Sequence, residues 1–202
     1  MTRAETTGPR ERTRRAVRAG LAELALGLFV ERGYERTTVE DIAAAAGLSK
    51  RSFFRYFPTK EDVLFADVEE LADRIADAIR ERPAGEDPWT CLHMVLRDWG
   101  GRVHAARHDL TGLRLIETTP ALRARLHQKR DAMRSRIATA LRERPGSTLD
   151  AFTADLLTAA AGAALDAAAR EWLRCDGDAD RSALIDEAFA ALSPRLAEPA
   201  PA

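Results

Sequence analysis

Hydrophobic residues recur every three to four positions through most of this chain, which is the spacing of a helix with one buried face. Residues 11–32 show the pattern first. Their apolar side chains share one stripe, formed by Val17, Leu21, Leu24, Ala25, Leu28 and Phe29. Arginine and glutamate occupy the opposite face. Since no segment alternates apolar and polar residues as a half-buried strand does, the pattern predicts an all-α fold.

Two short helices joined by a tight turn are predicted next. Thr38 begins a Ser/Thr-x-x-Asp/Glu capping box, which opens a helix through residue 46. Gly47 provides the turn, because glycine adopts left-handed backbone conformations without a steric penalty. Ser49 caps the second helix, residues 50–57, and the following proline ends it.

Longer helices are predicted for the rest of the chain. A second capping box at Thr59 begins a helix that is expected to continue to about residue 82. Clusters of Pro, Gly and Thr then separate segments at 89–105, 108–117, 120–144, 148–174 and 180–192. The total is about nine helices. The ends, 1–9 and 197–202, are expected to be disordered because they have little apolar surface to bury.

The charge of the chain is unevenly distributed. Residues 1–60 carry twelve Lys/Arg and seven Asp/Glu, whereas residues 61–202 carry nineteen and twenty-five. A basic front end predicts contact with a polyanion. No run of eighteen apolar residues predicts a membrane span, and the two cysteines match no metal or redox spacing. We therefore expect a soluble, cytoplasmic protein without a cofactor.

The two short helices together have two chemically different faces. Ile42, Ala46, Leu48, Phe53 and Tyr56 fall where a helix-turn-helix buries its small core. The other face presents Lys50, Arg51, Ser52, Phe54 and Arg55. Arginine can pair with guanine, and an aromatic ring can contact the thymine methyl group. The alternative is an ordinary helical hairpin with solvated cations, which would not require the caps, the turn glycine and the aromatic spacing to coincide.

Residues 28–64 resemble the N-terminal DNA-binding domain of the tetracycline-repressor (TetR) family of bacterial regulators. The matching features are Phe29, Gly33-Tyr34, Thr37-Thr38, Asp41-Ile42-Ala43, Gly47-x-Ser49, Tyr56-Phe57 and Lys60-Glu61. This resemblance implies a homodimer on a palindromic operator, with a helix-turn-helix domain at residues 10–58 and a ligand-binding and dimerisation domain at 59–196. The segment SKRSFFRYF is similar to an actinobacterial subset, some of whose C-terminal domains bind acyl-CoA-like ligands.

The resemblance also implies roles for individual residues. Thr38 corresponds to a phosphate contact, and Ser49 is a further candidate DNA contact because a serine hydroxyl can bind phosphate. The residues at base-contacting positions are Lys50, Arg51, Ser52 and Phe54, and those at backbone-contacting positions are Arg55, Tyr56 and Lys60. Many members carry Gly where this chain has Arg51, and Tyr is frequent where it has Phe54, so the operator sequence cannot be copied from relatives.

Arginines near the N-terminus could extend the DNA contact. They are Arg10, Arg12, Arg14, Arg15 and Arg18. One interpretation is an arm that contacts phosphates or the minor groove. The other is a solvated basic face.

An effector pocket and a dimer interface are expected in the remaining helices. The pocket candidates combine apolar walls with polar anchors for an anion: His93, Met94, Arg97, Trp99 and Arg114. The alternative is plain core. Small side chains on the Ala-rich helix and apolar ones on the last helix predict a four-helix interface at Ala160, Ala164, Ala168, Leu184, Ala188 and Phe189. Here the alternative is an internal helix of a monomer.

Other classes of function receive less support from the sequence. His104 and His108 have the spacing of a metal pair but lack further ligands, so solvated or pocket-lining histidines are the simpler interpretation. No nucleotide-binding loop or nucleophile with a base partner suggests an enzyme. A ligand-independent DNA-binding or activating protein remains open, and ligand-dependent loss of operator affinity would distinguish it from a repressor.

Overall fold

A computed structural model describes residues 8–106 and 110–193 of the chain. Within them it contains nine α-helices and no strand, which confirms the all-α prediction. The helices are α1 (Pro9–Arg32), α2 (Val39–Ala45), α3 (Lys50–Tyr56), α4 (Val68–Arg80), α5 (Pro88–Ala106), α6 (Leu110–Thr118), α7 (Pro120–Glu143), α8 (Ala151–Arg174) and α9 (Arg181–Ala191). The ends predicted to be disordered lie outside the described residues, except for Gly8 and Pro9, where α1 begins.

The predicted long helix at 59–82 is wrong in one respect. A 3-10 helix, Glu61–Phe65, comes first, and α4 begins only at Val68. The Ala66 carbonyl, which lies at this break, accepts a hydrogen bond from Arg18 Nη2 of α1 (2.8 Å). The segment after α3 is therefore not one continuous helix.

The chain divides into two compact units. The first comprises residues up to 69 together with 115–128, and the second comprises 70–114 and the residues from 129 onward. Helix α7 thus belongs to the first unit as far as Gln128. The predicted functional division at residue 58 concerns which residues bind DNA and stays a prediction.

Aromatic residues form the core of the first unit. Phe29, Phe53, Phe57 and Phe65 are all buried, and complete burial of a phenylalanine contributes about 1.5–3 kcal/mol. The predicted stripe of α1 supplies Leu21, Ala25 and Phe29 to this core, whereas Leu24 remains exposed. This core fixes α2 and α3 against α1.

A buried ion pair also joins distant parts of the first unit. Asp62, in the 3-10 helix, is 3% exposed, and its two carboxylate oxygens accept hydrogen bonds from Arg125 Nε and Nη2 of α7 (2.8 Å each). Thr59 Oγ1 accepts from the Asp62 amide (3.2 Å), which is one of the two bonds of the predicted capping box, and donates to Asp62 Oδ2 (3.0 Å). The capping partner was predictable from spacing, but Arg125 was not.

The second unit has a separate core built from α4, α5, α7, α8 and α9. Its buried side chains include Ile79, Leu92, Leu141, Ala161 and Phe189. Trp89 packs on Phe189, with 4.8 Å between ring centroids, and its Nε1 donates to the Phe189 carbonyl (3.2 Å). The tryptophans of this unit thus pack in or against its core, since Trp172 is buried as well and Trp99 is packed against the same cluster.

Helix α8 is the most apolar helix of the second unit. By length and composition alone it could span a membrane. One of its faces is, however, buried in this unit, through residues that include Ala154, Ala161, Ala164 and Trp172. Its composition therefore also suits the inner helix of a helical bundle.

Candidate nucleic-acid interface

Short-range hydrogen bonds define α2 and α3. Thr38 Oγ1 accepts from the Asp41 amide (3.1 Å), and Asp41 Oδ2 accepts from the Thr38 amide (2.8 Å). Gly47 adopts φ +66° in the turn. Ser49 Oγ then accepts from the Ser52 amide (3.1 Å). The capping box, turn and cap predicted from the sequence are all confirmed.

Helix α3 buries one face and exposes the other. Phe53 and Phe57 are completely buried. Phe54 lies on the outer side with its ring edge toward Phe53 (5.7 Å between centroids) and is 44% exposed. The other outward side chains are exposed at Lys50, Arg51 and Arg55 and half-buried at Ser52 and Tyr56. The structure thus brings the predicted DNA-contacting residues of α3 together on one surface.

Two guanidinium groups on this surface are available to a ligand. Arg51 and Arg55 are exposed, and neither has a hydrogen bond or ion pair within the described part of the chain. Each guanidinium keeps five N–H donors, which suit guanine edges and phosphates. The surface can therefore donate several charge-assisted hydrogen bonds.

The hydroxyl groups of the two caps are already engaged. Thr38 Oγ1 donates to Asp41 Oδ2 (2.6 Å), and Ser49 Oγ donates to Ser52 Oγ (3.1 Å). A hydroxyl has a single proton to donate. A phosphate contact by Thr38 or Ser49 would therefore replace one of these bonds, and both contacts stay predictions.

Lys60 lies behind the turn that precedes α2. Its Nζ donates to the carbonyl oxygens of Tyr34 (3.0 Å) and Thr37 (3.2 Å) and lies 3.8 Å from the centroid of the Tyr34 ring. The Tyr34 hydroxyl donates to Glu61, and burial together with this bond raises the pKa of Tyr34. Lys60 therefore has a structural role in addition to its predicted phosphate contact.

Lys60→Met is expected to lower the free energy of unfolding by about 1–3 kcal/mol, because charged hydrogen bonds to two carbonyl groups are lost. Denaturant unfolding measures this effect. Lys50→Met is the matched control, since it removes only an exposed ion pair and should cost less than about 1 kcal/mol. Equal stability of the two variants would contradict the structural role of Lys60.

Arg18 contributes to this site from α1 in a way that the sequence did not reveal. Its Nη1 donates to the Tyr56 carbonyl (2.6 Å), and its guanidinium lies over the Phe57 ring, 4.6 Å from the centroid. Arg18 therefore anchors the end of α3, and a DNA contact by the other N-terminal arginines stays a prediction. The sequence feature that could have indicated this role is the place of Arg18 on the same helical face as Leu21, Ala25 and Phe29. Arg10, Arg12 and Arg14 are exposed, and Arg15 is half-buried.

Comparisons with known proteins agree with this geometry. The model of the tetR family of bacterial regulatory proteins matches residues 21–66, and that of the MftR C-terminal domain matches residues 101–197. The chain is 35% identical to the HTH-type transcriptional regulator TcmR of Streptomyces glaucescens over 207 residues, which cover 96% of this chain and 92% of TcmR. The chain belongs to the TetR family. It is a transcriptional regulator with a helix-turn-helix.

Two further similarities add to this assignment. The HTH-type transcriptional repressor AcnR of Corynebacterium diphtheriae is 32% identical over 113 residues, which cover 54% of each chain. FadR of Thermus thermophilus, a TetR-family repressor solved with lauroyl-CoA, superposes with a TM-score of 0.60 at 24% identity and covers 92% of this chain and 98% of its own. At that identity the FadR structure supports the fold alone.

The effector candidates of this TetR-family chain lie in several places. His93 Nε2 and Asp186 Oδ1 are 2.7 Å apart, and Arg97 Nε donates to both oxygens of Asp186 (2.7 and 3.0 Å). Arg97, and to a lesser extent His93, lower the pKa of Asp186. Met94 is exposed, Trp99 packs against the core, and Arg114 pairs with Asp176. His93 and Arg97 share Asp186 as a partner, and a common pocket for all five candidates stays a prediction.

The six dimer-interface candidates differ in how far their side chains are exposed. Ala164, Ala168 and Phe189 are buried within the second unit, so they leave no surface for a second protomer. Ala160, Leu184 and Ala188 are half-buried. The exposed stripe of α8 consists of Phe152, Leu156, Ala163 and Ala167. Its alanines each precede the predicted Ala164 and Ala168 by one residue.

The metal interpretation of His104 and His108 is not tested by the described residues. In residues 8–106 and 110–193, no three or more His, Cys, Asp or Glu side chains cluster as a metal site would require. His108 lies outside the described residues, and the side chain of His104 is not described.

Proposed function

We propose that this TetR-family regulator is a repressor that binds a palindromic operator as a homodimer and leaves it when a small molecule binds. The observation that carries the proposal is the outer surface of α3, where Arg51, Arg55 and Phe54 are exposed while Phe53 and Phe57 hold the helix in place. Footprinting on a selected operator tests it. Two protected half-sites about 34–36 Å apart would support a dimer of helix-turn-helix units, and a single protected half-site would contradict it.

Within this proposal, some residues of the helix-turn-helix contact base edges and others contact phosphates. Lys50, Arg51, Ser52 and Phe54 contact base edges, whereas Arg55 and Tyr56 contact the phosphate backbone, with Thr38, Ser49 and Lys60 as additional phosphate contacts. The excess of basic residues in the first sixty supports attraction to any DNA. Base contacts then select among sequences.

Arg51→Ala is expected to weaken binding to the preferred operator by about 1–3 kcal/mol and to relax the preference at one base pair, because a two-pronged contact to guanine is lost. Binding titrations on the operator and on its single-base variants measure both effects. Arg142→Ala removes an equal charge from the exposed end of α7 and should change neither. An equal loss on every sequence would contradict base contact by Arg51.

Dimerisation is proposed to use the exposed stripe of α8. Phe152 is 76% exposed and Leu156 is 55% exposed, which is unusual for large apolar side chains on successive turns of one helix. The smaller side chains of Ala163 and Ala167 continue the stripe and would let two such helices approach closely. In this proposal, Ala163 and Ala167 take the place of Ala164 and Ala168, which were predicted at the interface but are buried within the second unit.

The effector is proposed to be an apolar molecule with an anionic group, such as an acyl-CoA. The FadR structures solved with lauroyl-CoA and stearoyl-CoA share this fold and supply the analogy. Such a ligand releases DNA only if it favours the conformation with lower operator affinity, and a coupling of about 1–3 kcal/mol is ordinary. We propose that the protein acts in the cytoplasm, without a membrane partner and without catalysis.

An acyl-CoA series tests the effector class. Addition of lauroyl-CoA or stearoyl-CoA is expected to reduce operator affinity about 5- to 150-fold, while free CoA, which lacks the acyl chain, should have no effect. Fluorescence anisotropy with labelled operator measures the change. Unchanged operator affinity at saturating acyl-CoA would overturn this effector class.

A further inference from the structure

An exposed ion pair between Glu40 and Lys50 lies beside the proposed base-contacting surface. Glu40, in the first turn of α2, accepts a hydrogen bond from Lys50, the first residue of α3 (Nζ–Oε1 2.5 Å). Both side chains are more than half exposed, 58% for Glu40 and 56% for Lys50. A carboxylate therefore lies on the exposed part of the helix-turn-helix, next to a side chain that is proposed to contact bases.

Glu40 is acidic in the first turn of α2, where a negative charge interacts favourably with the helix dipole, but general DNA affinity does not explain this carboxylate. An ion pair as exposed as this one contributes little to folding. The two helices are already held by Ile42 and Phe53 in the core and by their own caps. A negative charge also weakens attraction to the phosphates of any duplex. Its place beside Lys50 on the exposed side of the helix-turn-helix also suits a role in distinguishing one base pair from another.

We propose that Glu40 is a specificity-determining residue that accepts a hydrogen bond from the amino group of a cytosine in the major groove, while Lys50 donates to the guanine paired with it. This inference rests on the proposed function. The cytosine amino group and the guanine O6 oxygen are base-pairing partners, so they lie about one hydrogen-bond length apart, as the Glu40 and Lys50 head groups do. Thymine places an acceptor, O4, where cytosine has its donor, and two acceptors facing each other are unfavourable.

Contact between Glu40 and cytosine predicts that substitutions of Glu40 change which base pair is preferred, whereas a loss of charge alone would not change that preference. The wild type is expected to favour C·G over the other pairs about tenfold at one position of each half-site. Glu40→Gln should shift the preference at that position toward A·T, because an amide can form two hydrogen bonds with adenine. Glu40→Ala should abolish the preference there without creating a new one.

Selection from randomised duplexes with the wild type and the variants, followed by titration of the winners, tests the proposal. Glu23→Gln is the matched control, because it removes the same charge from an exposed position on α1 and should leave every preference unchanged. If Glu40→Gln raises affinity for all sequences and keeps the wild-type preference, the inference is overturned while the proposed function stands. If the wild type enriches no sequence, the proposed function itself fails.

Discussion

Arg125→Met is expected to destabilise the first unit by about 3 kcal/mol, the lower end of the range for breaking a buried ion pair. The variant leaves the Asp62 carboxylate buried without its cation, although the Thr59 hydroxyl still donates to it. The lower end applies because the Arg125 side chain is partly exposed, so water can partly replace it. Chemical denaturation followed by circular dichroism measures the loss.

A control on the same helix separates burial from charge. Arg136→Met removes the exposed pair with Asp73 and should cost less than about 1 kcal/mol. Combining Arg125→Met with Asp62→Asn should recover part of the stability, because the unpaired buried charge is then gone. If Arg125→Met is no more destabilising than Arg136→Met, Asp62 and Arg125 do not stabilise the fold as described.

The double variant Phe152→Asp, Leu156→Asp is expected to be monomeric and to lose at least about 100-fold in operator affinity. Burying one large apolar side chain contributes about 1.5–3 kcal/mol, and a two-fold interface would bury these residues from both protomers. Light scattering and operator titration measure the two effects. The fold should persist, because both residues are exposed in the single chain.

Val30→Asp is the matched control for this variant. Val30 is an exposed apolar residue on α1, in the first unit, whereas the stripe belongs to α8 of the second unit. Its replacement should leave the oligomeric state unchanged. Dimers that survive in the Phe152→Asp, Leu156→Asp protein would place the interface elsewhere.

Features that depend on neighbours in sequence were predictable. Thr38 and Ser49 cap helices through residues three positions away, and Gly47 is required by a single turn. The alternation of Phe53 and Phe57 with Arg51 and Arg55 then determines which face of α3 is exposed. The candidate DNA surface followed from these local rules.

Features that depend on distant partners were not predictable in this way. The sequence predicts Arg18 on a basic face or DNA-contacting arm and Lys60 at a phosphate contact, yet the structure gives them backbone partners 38 and 26 residues away. In α8, alanine occupies several faces, so no hydrophobic periodicity indicates which face is buried. A shift of one residue, about 100° of helix rotation, separates the predicted Ala164 from the exposed Ala163.

The central claim is that the surface of α3 recognises a particular DNA sequence as part of a symmetric dimer. Selection of the purified protein against randomised duplex DNA, with the enriched sequence titrated at several salt concentrations, tests it most directly. We predict an enriched palindrome whose affinity falls steeply with salt, because several phosphates are neutralised by each dimer. Binding without sequence enrichment would contradict the claim.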